Sequence, residues 1–226
     1  MTHSDGNGYI TKGFQPAVST IDGSVYVCAT TDNENMIVAR YSMESYVYGA
    51  VPNPVWKVEI EAAANNFGLG CVLDADGNAY VRAADKIFKL NAADGSLIWS
   101  RETGKGNCGV PAIDKLGYVY VNDSGKQRLL KLSPVDGSLI SQTVFDAQPR
   151  TSPTIDSNGN IYITCTSVNG EGAVLYKVTC PMTTGPGSNW SQLGGNQRKT
   201  GMVPGAVEPY TVNTSSHENY STNDLF

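Results

Sequence analysis

The feature that most limits what this chain can fold into is a phrase that recurs along it. It reads Cys71-Val-Leu-Asp74-Ala-Asp-Gly77-Asn-Ala-Tyr80-Val81, then Pro111-Ala-Ile-Asp114-Lys-Leu-Gly117-Tyr-Val-Tyr120-Val121, then Pro153-Thr-Ile-Asp156-Ser-Asn-Gly159-Asn-Ile-Tyr162-Ile163. A looser copy over residues 16–27 keeps Gly23 and Tyr26 in register, with Thr20 in place of the Asp. A second phrase follows the first in two copies, Phe88-Lys-Leu90-Asn-Ala-Ala-Asp94-Gly95-Ser-Leu-Ile-Trp99 and Leu130-Lys-Leu132-Ser-Pro-Val-Asp136-Gly137-Ser-Leu-Ile-Ser141. The period is steady: 40 residues separate Asp74 from Asp114, and 42 separate both Asp114 from Asp156 and Asp94 from Asp136. Self-similarity at such a period marks an architecture of stacked units, each too small to bury its apolar faces alone.

Each unit has a physical reading. An apolar run, then Asp-x-x-Gly, then an alternating run ending in Tyr is strand, tight turn, strand. Asp, Asn and Gly supply the positive φ that a short hairpin needs. The second phrase repeats the arrangement around Asp-Gly. Four short antiparallel strands in about 42 residues make one blade of a β-propeller. No segment sustains a 3.6-residue apolar period over ten residues, so a helical reading fails. The fold class is all-β, with four blades visible at about residues 15–60, 67–103, 107–146 and 150–201. Residues 6–11 carry the hairpin pattern too close to Tyr26 for a blade of their own. Within the unit 1–202, residues 1–14 are therefore expected to be a lone strand, closing the last blade of this molecule or of a neighbour. The ring is partial or closed by that strand. Residues 203–226 hold no Lys or Arg and are rich in Ser, Thr and Asn, which reads as a polar tail or docking arm.

The phrase ending Gly95-Ser-Leu-Ile-Trp99 resembles the tryptophan-docking repeat of pyrroloquinoline-quinone-like propellers. Residues 190–201, Trp190-Ser-Gln-Leu-Gly-Gly-Asn-Gln-Arg-Lys-Thr-Gly, are similar to an element found at the edges of such propellers. The resemblance spans roughly residues 6–202 and implies a fold in which the Trp packs between neighbouring blades. It favours an extracytoplasmic or cell-surface setting, although residues 1–6 lack the basic and apolar regions of a secretory signal. The pattern decays in places. Ser141 stands where Trp99 stands one blade earlier, and residues 45–55 are an insertion before Trp56.

Quinone-dependent dehydrogenases of that superfamily use a full ring, a calcium ion, a catalytic Asp and often adjacent cysteines. This chain has about half the blades and no adjacent Cys pair. Asp85, Asp123 and Asp146 lie outside the repeat turns, but nothing marks any of them for catalysis. Asp74-Ala-Asp76-Gly77-Asn78 and Asp156-Ser-Asn158-Gly159-Asn160 look like short calcium loops, yet lack the closing Glu of a twelve-residue loop. Their recurrence points to backbone turns. The two histidines, His3 and His217, are terminal, so His-dependent catalysis and a multi-His zinc site are not expected. Neither calcium nor pyrroloquinoline quinone is expected as a cofactor.

A net charge of -5 and a pI near 5.0, with no Lys/Arg cluster, argue against nucleic acid as partner. No run approaches the ~20 apolar residues of a membrane span. Five cysteines, at 28, 71, 108, 165 and 180, form no CxxC pair. Most sit in apolar strand-like runs and read as buried free thiols; one disulfide, such as Cys165 with Cys180, is the alternative. The residues expected to matter are therefore structural. They are Asp74, Gly77, Tyr80, Asp94, Gly95, Trp99, Asp114, Gly117, Tyr120, Asp136, Gly137, Asp156, Gly159, Tyr162 and Trp190. The functional expectation is a non-enzymatic scaffold that binds protein, a second copy of itself included, through its terminal strands. The alternative is a quinone- or carbohydrate-binding domain of a larger dehydrogenase-like protein.

Overall fold

The first blade is built on β3 (Val25–Thr31), whose long edge receives two short strands in line, β1 (Ile10–Gly13) and β2 (Ala17–Val18). β4 (Met36–Tyr41) and β5 (Trp56–Ile60) complete the sheet outward. The structure, a computed structural model, describes residues 10–31, 35–44, 52–61, 67–83, 85–104, 109–167, 172–179 and 185–193. All regular elements among them are strands. The second blade is β6 (Phe67–Leu73), β7 (Ala79–Ala83), β8 (Lys86–Leu90) and β9 (Leu97–Glu102). The third is β10 (Ala112–Ile113), β11 (Val119–Asp123), β12 (Arg128–Leu132) and β13 (Leu139–Val144). In the fourth, β14 (Gln148–Pro149) and β15 (Thr154–Ile155) share one edge of β16 (Asn160–Thr166), and β17 (Ala173–Thr179) takes the other. All strand pairs in the four sheets are antiparallel, and the sheets form part of a β-propeller, not a closed ring.

The split inner strands have a chemical cause. Pro16 interrupts the line between β1 and β2, and Pro149 and Pro153 flank the break between β14 and β15; proline has no N–H for the ladder. Pairing nonetheless resumes on both sides, as the Phe14 N–H donates to Cys28 O at 3.0 Å and Arg150 N–H to Thr164 O at 3.0 Å. This corrects one expectation. Ile10–Gly13 does not close the last blade: it lies against β3 of the first, with Gly13 opposite Ala29. β3 runs well past the two residues of β2, and the edge it leaves free is the one β1 takes. Residues 1–9 and the expected tail at 203–226 lie outside the described residues.

The core is divided by the blades. One apolar cluster joins the first and second, including Tyr26, Cys28, Val38, Trp56, Cys71 and Leu73. A second joins the second and third around Tyr80, Ile87, Trp99 and Leu132, and a third joins the third and fourth around Tyr120, Phe145, Ile161 and Ile163. The central strands record this directly. β7 and β11 are buried at every position because a blade lies on each side, whereas β16 alternates buried with half-buried residues.

Candidate functional site

The Asp-x-x-Gly-x-x-Tyr phrase is a self-contained hydrogen-bonded unit. One carboxylate oxygen of Asp74 accepts from the N–H groups of Asp76 and Asn78 at 3.0 and 2.9 Å. Asp114 does the same with Leu116 and Tyr118, and Asp156 with Asn158 and Asn160, all between 2.8 and 3.0 Å. The other oxygen accepts the hydroxyl proton of the Tyr six residues on: Tyr80 at 3.2, Tyr120 at 3.0 and Tyr162 at 3.2 Å. The glycines at 77, 117 and 159 turn the chain with φ of 82°, 86° and 82°. Both oxygens of each Asp are thus engaged inside its own turn. Environment still separates the three. Burial pushes the Asp114 carboxyl up despite the bond from Tyr120. At Asp156 the bonds from Asn160 and Tyr162 outweigh desolvation and hold it below the usual range. Where Thr20 replaces the Asp, Tyr26 finds another acceptor: its hydroxyl donates to Gly77 O of the next blade at 2.9 Å.

The Asp-Gly phrase builds the contact between blades. Asp94 and Asp136 accept from the N–H groups of Ser96 and Ser138 at 2.9 and 3.0 Å, closing turns in which Gly95 and Gly137 have φ of 74° and 70°. The Trp of the preceding blade lies flush on each glycine. A Cβ on Gly95 would sit 2.7 Å from Cε3 of Trp56, and one on Gly137 would sit 2.6 Å from Cε3 of Trp99. Each indole N–H then donates to a carbonyl of that same turn, Trp56 to Ala92 at 2.9 Å and Trp99 to Pro134 at 3.1 Å. Each Trp also meets the Tyr of its own blade edge-on, Tyr26 with Trp56 at 5.8 Å and Tyr80 with Trp99 at 5.7 Å, both at 71°.

A repeated cation completes the contact. Arg40 donates to Ala92 O at 2.8 Å, and Lys89 to Pro134 O at 3.0 Å while pairing with Asp74 at 3.1 Å. The equivalent Lys131 lies 4.1 Å from the Tyr118 ring centre. Sequence reasoning passed over this position, although Lys89 and Lys131 occupy the same place in the repeated Lys-Leu phrase.

Residues 185–193 were expected inside the fourth blade. They lie instead across the inner edges of all four. The Leu73 N–H donates to Trp190 O and the Ile113 N–H to Ser191 O, both at 2.7 Å. The Ile155 N–H donates to the side-chain oxygen of Gln192 at 2.9 Å, and the Thr20 N–H to that of Asn189 at 3.0 Å. Leu73, Ile113 and Ile155 each stand one residue before the repeat Asp, so consecutive residues of one segment satisfy equivalent inner-edge donors of successive blades. Asn189 donates back to Asp74 O at 2.9 Å, and Trp190 enters the core shared by the first two blades. Inner-edge donors need partners, and nothing in the local spacing of residues 185–193 says which edge they meet.

The fourth blade differs on its far side. Tyr26, Tyr80 and Tyr120 are at most 1% exposed because the next blade covers each, whereas Tyr162 is half-buried. β17 is mostly exposed, with Val174 at 46% and Leu175 at 65%. Among the described residues, β17 pairs on one edge only, where β4, β8 and β12 each pair on two. Ser141 is exposed; Phe145 packs on Tyr176 at 4.9 Å at that blade contact.

Trp-on-glycine contacts at a fixed period are what the repeat phrases describe, and the family comparison agrees. The model of the PQQ_2 family, described as outer membrane protein assembly factor BamB, matches residues 49–158. Residues 49–158 thus resemble the pyrroloquinoline-quinone-like repeat family. Solved structures support the fold of these quinone-like repeats at low identity. BamB from Moraxella catarrhalis matches at 12% identity and TM-score 0.51, over 74% of this chain and 53% of its own. Virginiamycin B lyase from Staphylococcus aureus matches at 12% and 0.52, over 84% and 60%. Quinohemoprotein alcohol dehydrogenase from Comamonas testosteroni matches at 16% and 0.52, over 69% and 29%. The chain thus spans 60% or less of each of these proteins. No curated protein sequence matches it. An assembly factor, a lyase and a dehydrogenase share this fold, so the fold does not select among their activities.

Among the described residues, no three His, Cys, Asp or Glu side chains gather where they could hold a metal ion. No helix there is long and apolar enough to cross a membrane.

Proposed function

We propose that this chain is a non-enzymatic scaffold that engages protein, a second copy of itself included, through the far face of its fourth blade. One observation carries the reading. Tyr162 keeps the bond to Asp156 made by its repeat equivalents, yet it lacks the cover that the next blade gives to Tyr80 and Tyr120. Beside it, Ala173, Val174 and Leu175 line a strand with one edge still open among the described residues. An open edge offers a row of N–H and C=O groups, and alternating side chains supply register to an added strand. The inner edges, where a propeller could hold a small ligand, are occupied by residues 185–193 of the chain itself. That favours the scaffold over a quinone- or sugar-binding domain.

The test is light scattering of the intact chain across the accessible concentration range, beside Leu175→Glu. Self-association weakened by Leu175→Glu supports the reading. A chain that is monomeric throughout, is unaltered by Leu175→Glu, and carries the near-ultraviolet absorbance of a bound quinone would overturn it in favour of the ligand-binding alternative.

A further inference from the structure

Cysteine appears at the blade contacts in a pattern the repeat does not require. Two residues after the repeat Tyr, the blades carry Cys28, Arg82, Asn122 and Thr164 in turn. Three residues before the repeat Asp, or before Thr20 in the first copy, they carry Ala17, Cys71, Pro111 and Pro153. The first blade alone carries a Cys at the former position and the second blade alone at the latter, and these two blades are neighbours.

The fold brings these two together. Cys28 is in the middle of β3 and Cys71 in β6, strands that pack against each other across the first blade contact. Both side chains belong to the same apolar cluster, both are free thiols, and they are 0% and 2% exposed. By contrast, Cys165 is in the third cluster, which holds no second cysteine among the described residues.

We propose that Cys28 and Cys71 are a disulfide site that staples the first blade to the second when the chain folds in the presence of a small-molecule disulfide. The chemistry is two exchanges. One cysteine thiolate attacks the reagent's S–S bond, forming a mixed disulfide and releasing one reagent thiol. The other cysteine then attacks the protein sulfur of that mixed disulfide, forming the protein S–S bond and expelling the second reagent thiol. The protein loses two protons and two electrons, and the reagent leaves as two thiols. Folding is the stage at which this happens. In the closed contact the Cys28 thiol, hydrogen-bonded to Cys71 and buried, is raised well above its ordinary pKa, so thiolate is scarce and reagent is excluded. The staple leaves the free end of the fourth blade untouched and is independent of the scaffold reading.

The experiment refolds the full chain from urea in an oxidised/reduced glutathione couple, alkylates free thiols in denaturant, and maps tryptic peptides without reduction. Cleavage at Lys12, Arg40, Lys57 and Arg82 places the two cysteines on separate peptides. The expected result is one linked pair joining them, absent from Cys71→Ser, and an unfolding midpoint about 5–10 °C above the reduced protein. Where refolded material lacks the near-ultraviolet circular dichroism of the native chain, the same couple is applied to native protein in sub-denaturing urea. Cys28 and Cys71 recovered as separately alkylated peptides, or joined to other cysteines, from natively folded material overturns the proposal.

Discussion

Gly137 is where one added methyl group tests the blade contact most directly. Its φ of 70° is in the left-handed region, and a Cβ there would lie 2.6 Å from Cε3 and 2.9 Å from Cζ3 of Trp99. The ring cannot swing aside freely, since its N–H is held by Pro134 O at 3.1 Å and its edge meets Tyr80. For Gly137→Ala, the left-handed backbone costs about 1–2 kcal/mol and overpacking adds about 1–3 kcal/mol. A loss of about 2–5 kcal/mol is expected. Gly172 is the control: its φ is 86°, but nothing lies within 4 Å of its Cβ. Gly172→Ala should therefore cost about 1 kcal/mol, the backbone part less the entropy removed from the unfolded chain. Trp99→Ala, which empties the buried slot, should cost about 3–5 kcal/mol. In that background Gly137→Ala should lose its steric part, giving a coupling of about 1–3 kcal/mol between the two sites. Urea unfolding of the three single variants and the double mutant measures all of this. If Gly137→Ala is no worse than Gly172→Ala, or is additive with Trp99→Ala, the docking argument fails.

Repeat-equivalent aspartates should respond to acid with opposite signs. Asp156 is held below its ordinary range, so its contribution is present above the unfolded carboxylate pKa and is lost as pH falls through its lowered folded value. Asp114 is raised, so the native state binds the proton first, and stability falls as pH rises from the unfolded value through the folded one. The stability of the unsubstituted protein relative to Asp156→Asn should rise with pH across the carboxylate range, and relative to Asp114→Asn it should fall; equal slopes in chemical unfolding would refute the assignment. Asn189→Ala removes the acceptor for the Thr20 amide and the donor to Asp74 O. It should cost about 1–3 kcal/mol and speed hydrogen exchange at Thr20 and Leu73 ahead of the strand centres; unchanged exchange there would mean residues 185–193 do not hold the inner edges.

The sequence by itself determined the local units. Asp74, Gly77 and Tyr80 and their copies specify a turn by short-range chemistry, with the bonds that close the turn spanning at most six residues, so the phrase carries the instruction for the turn. The Trp-on-glycine contact was legible for the same reason: Trp99 and Gly137 recur at the repeat period, and that period makes them neighbours once blades stack. Tertiary structure decided what has no local signature. β1 joined the first blade because β3 is long enough to pair twice, a fact about the length of a partner strand rather than about residues 10–13. Residues 185–193 left the fourth blade because inner-edge N–H groups at Leu73, Ile113 and Ile155 need acceptors, and only the stacked blades bring those donors into one row. The Cys28–Cys71 pair was hidden likewise. Each thiol reads as a small hydrophobe on its own strand, and the packing of β3 on β6 makes them a pair. Hydrogen bonds that close within a few residues are written in the spacing; those that close between blades exist only after the blades have met.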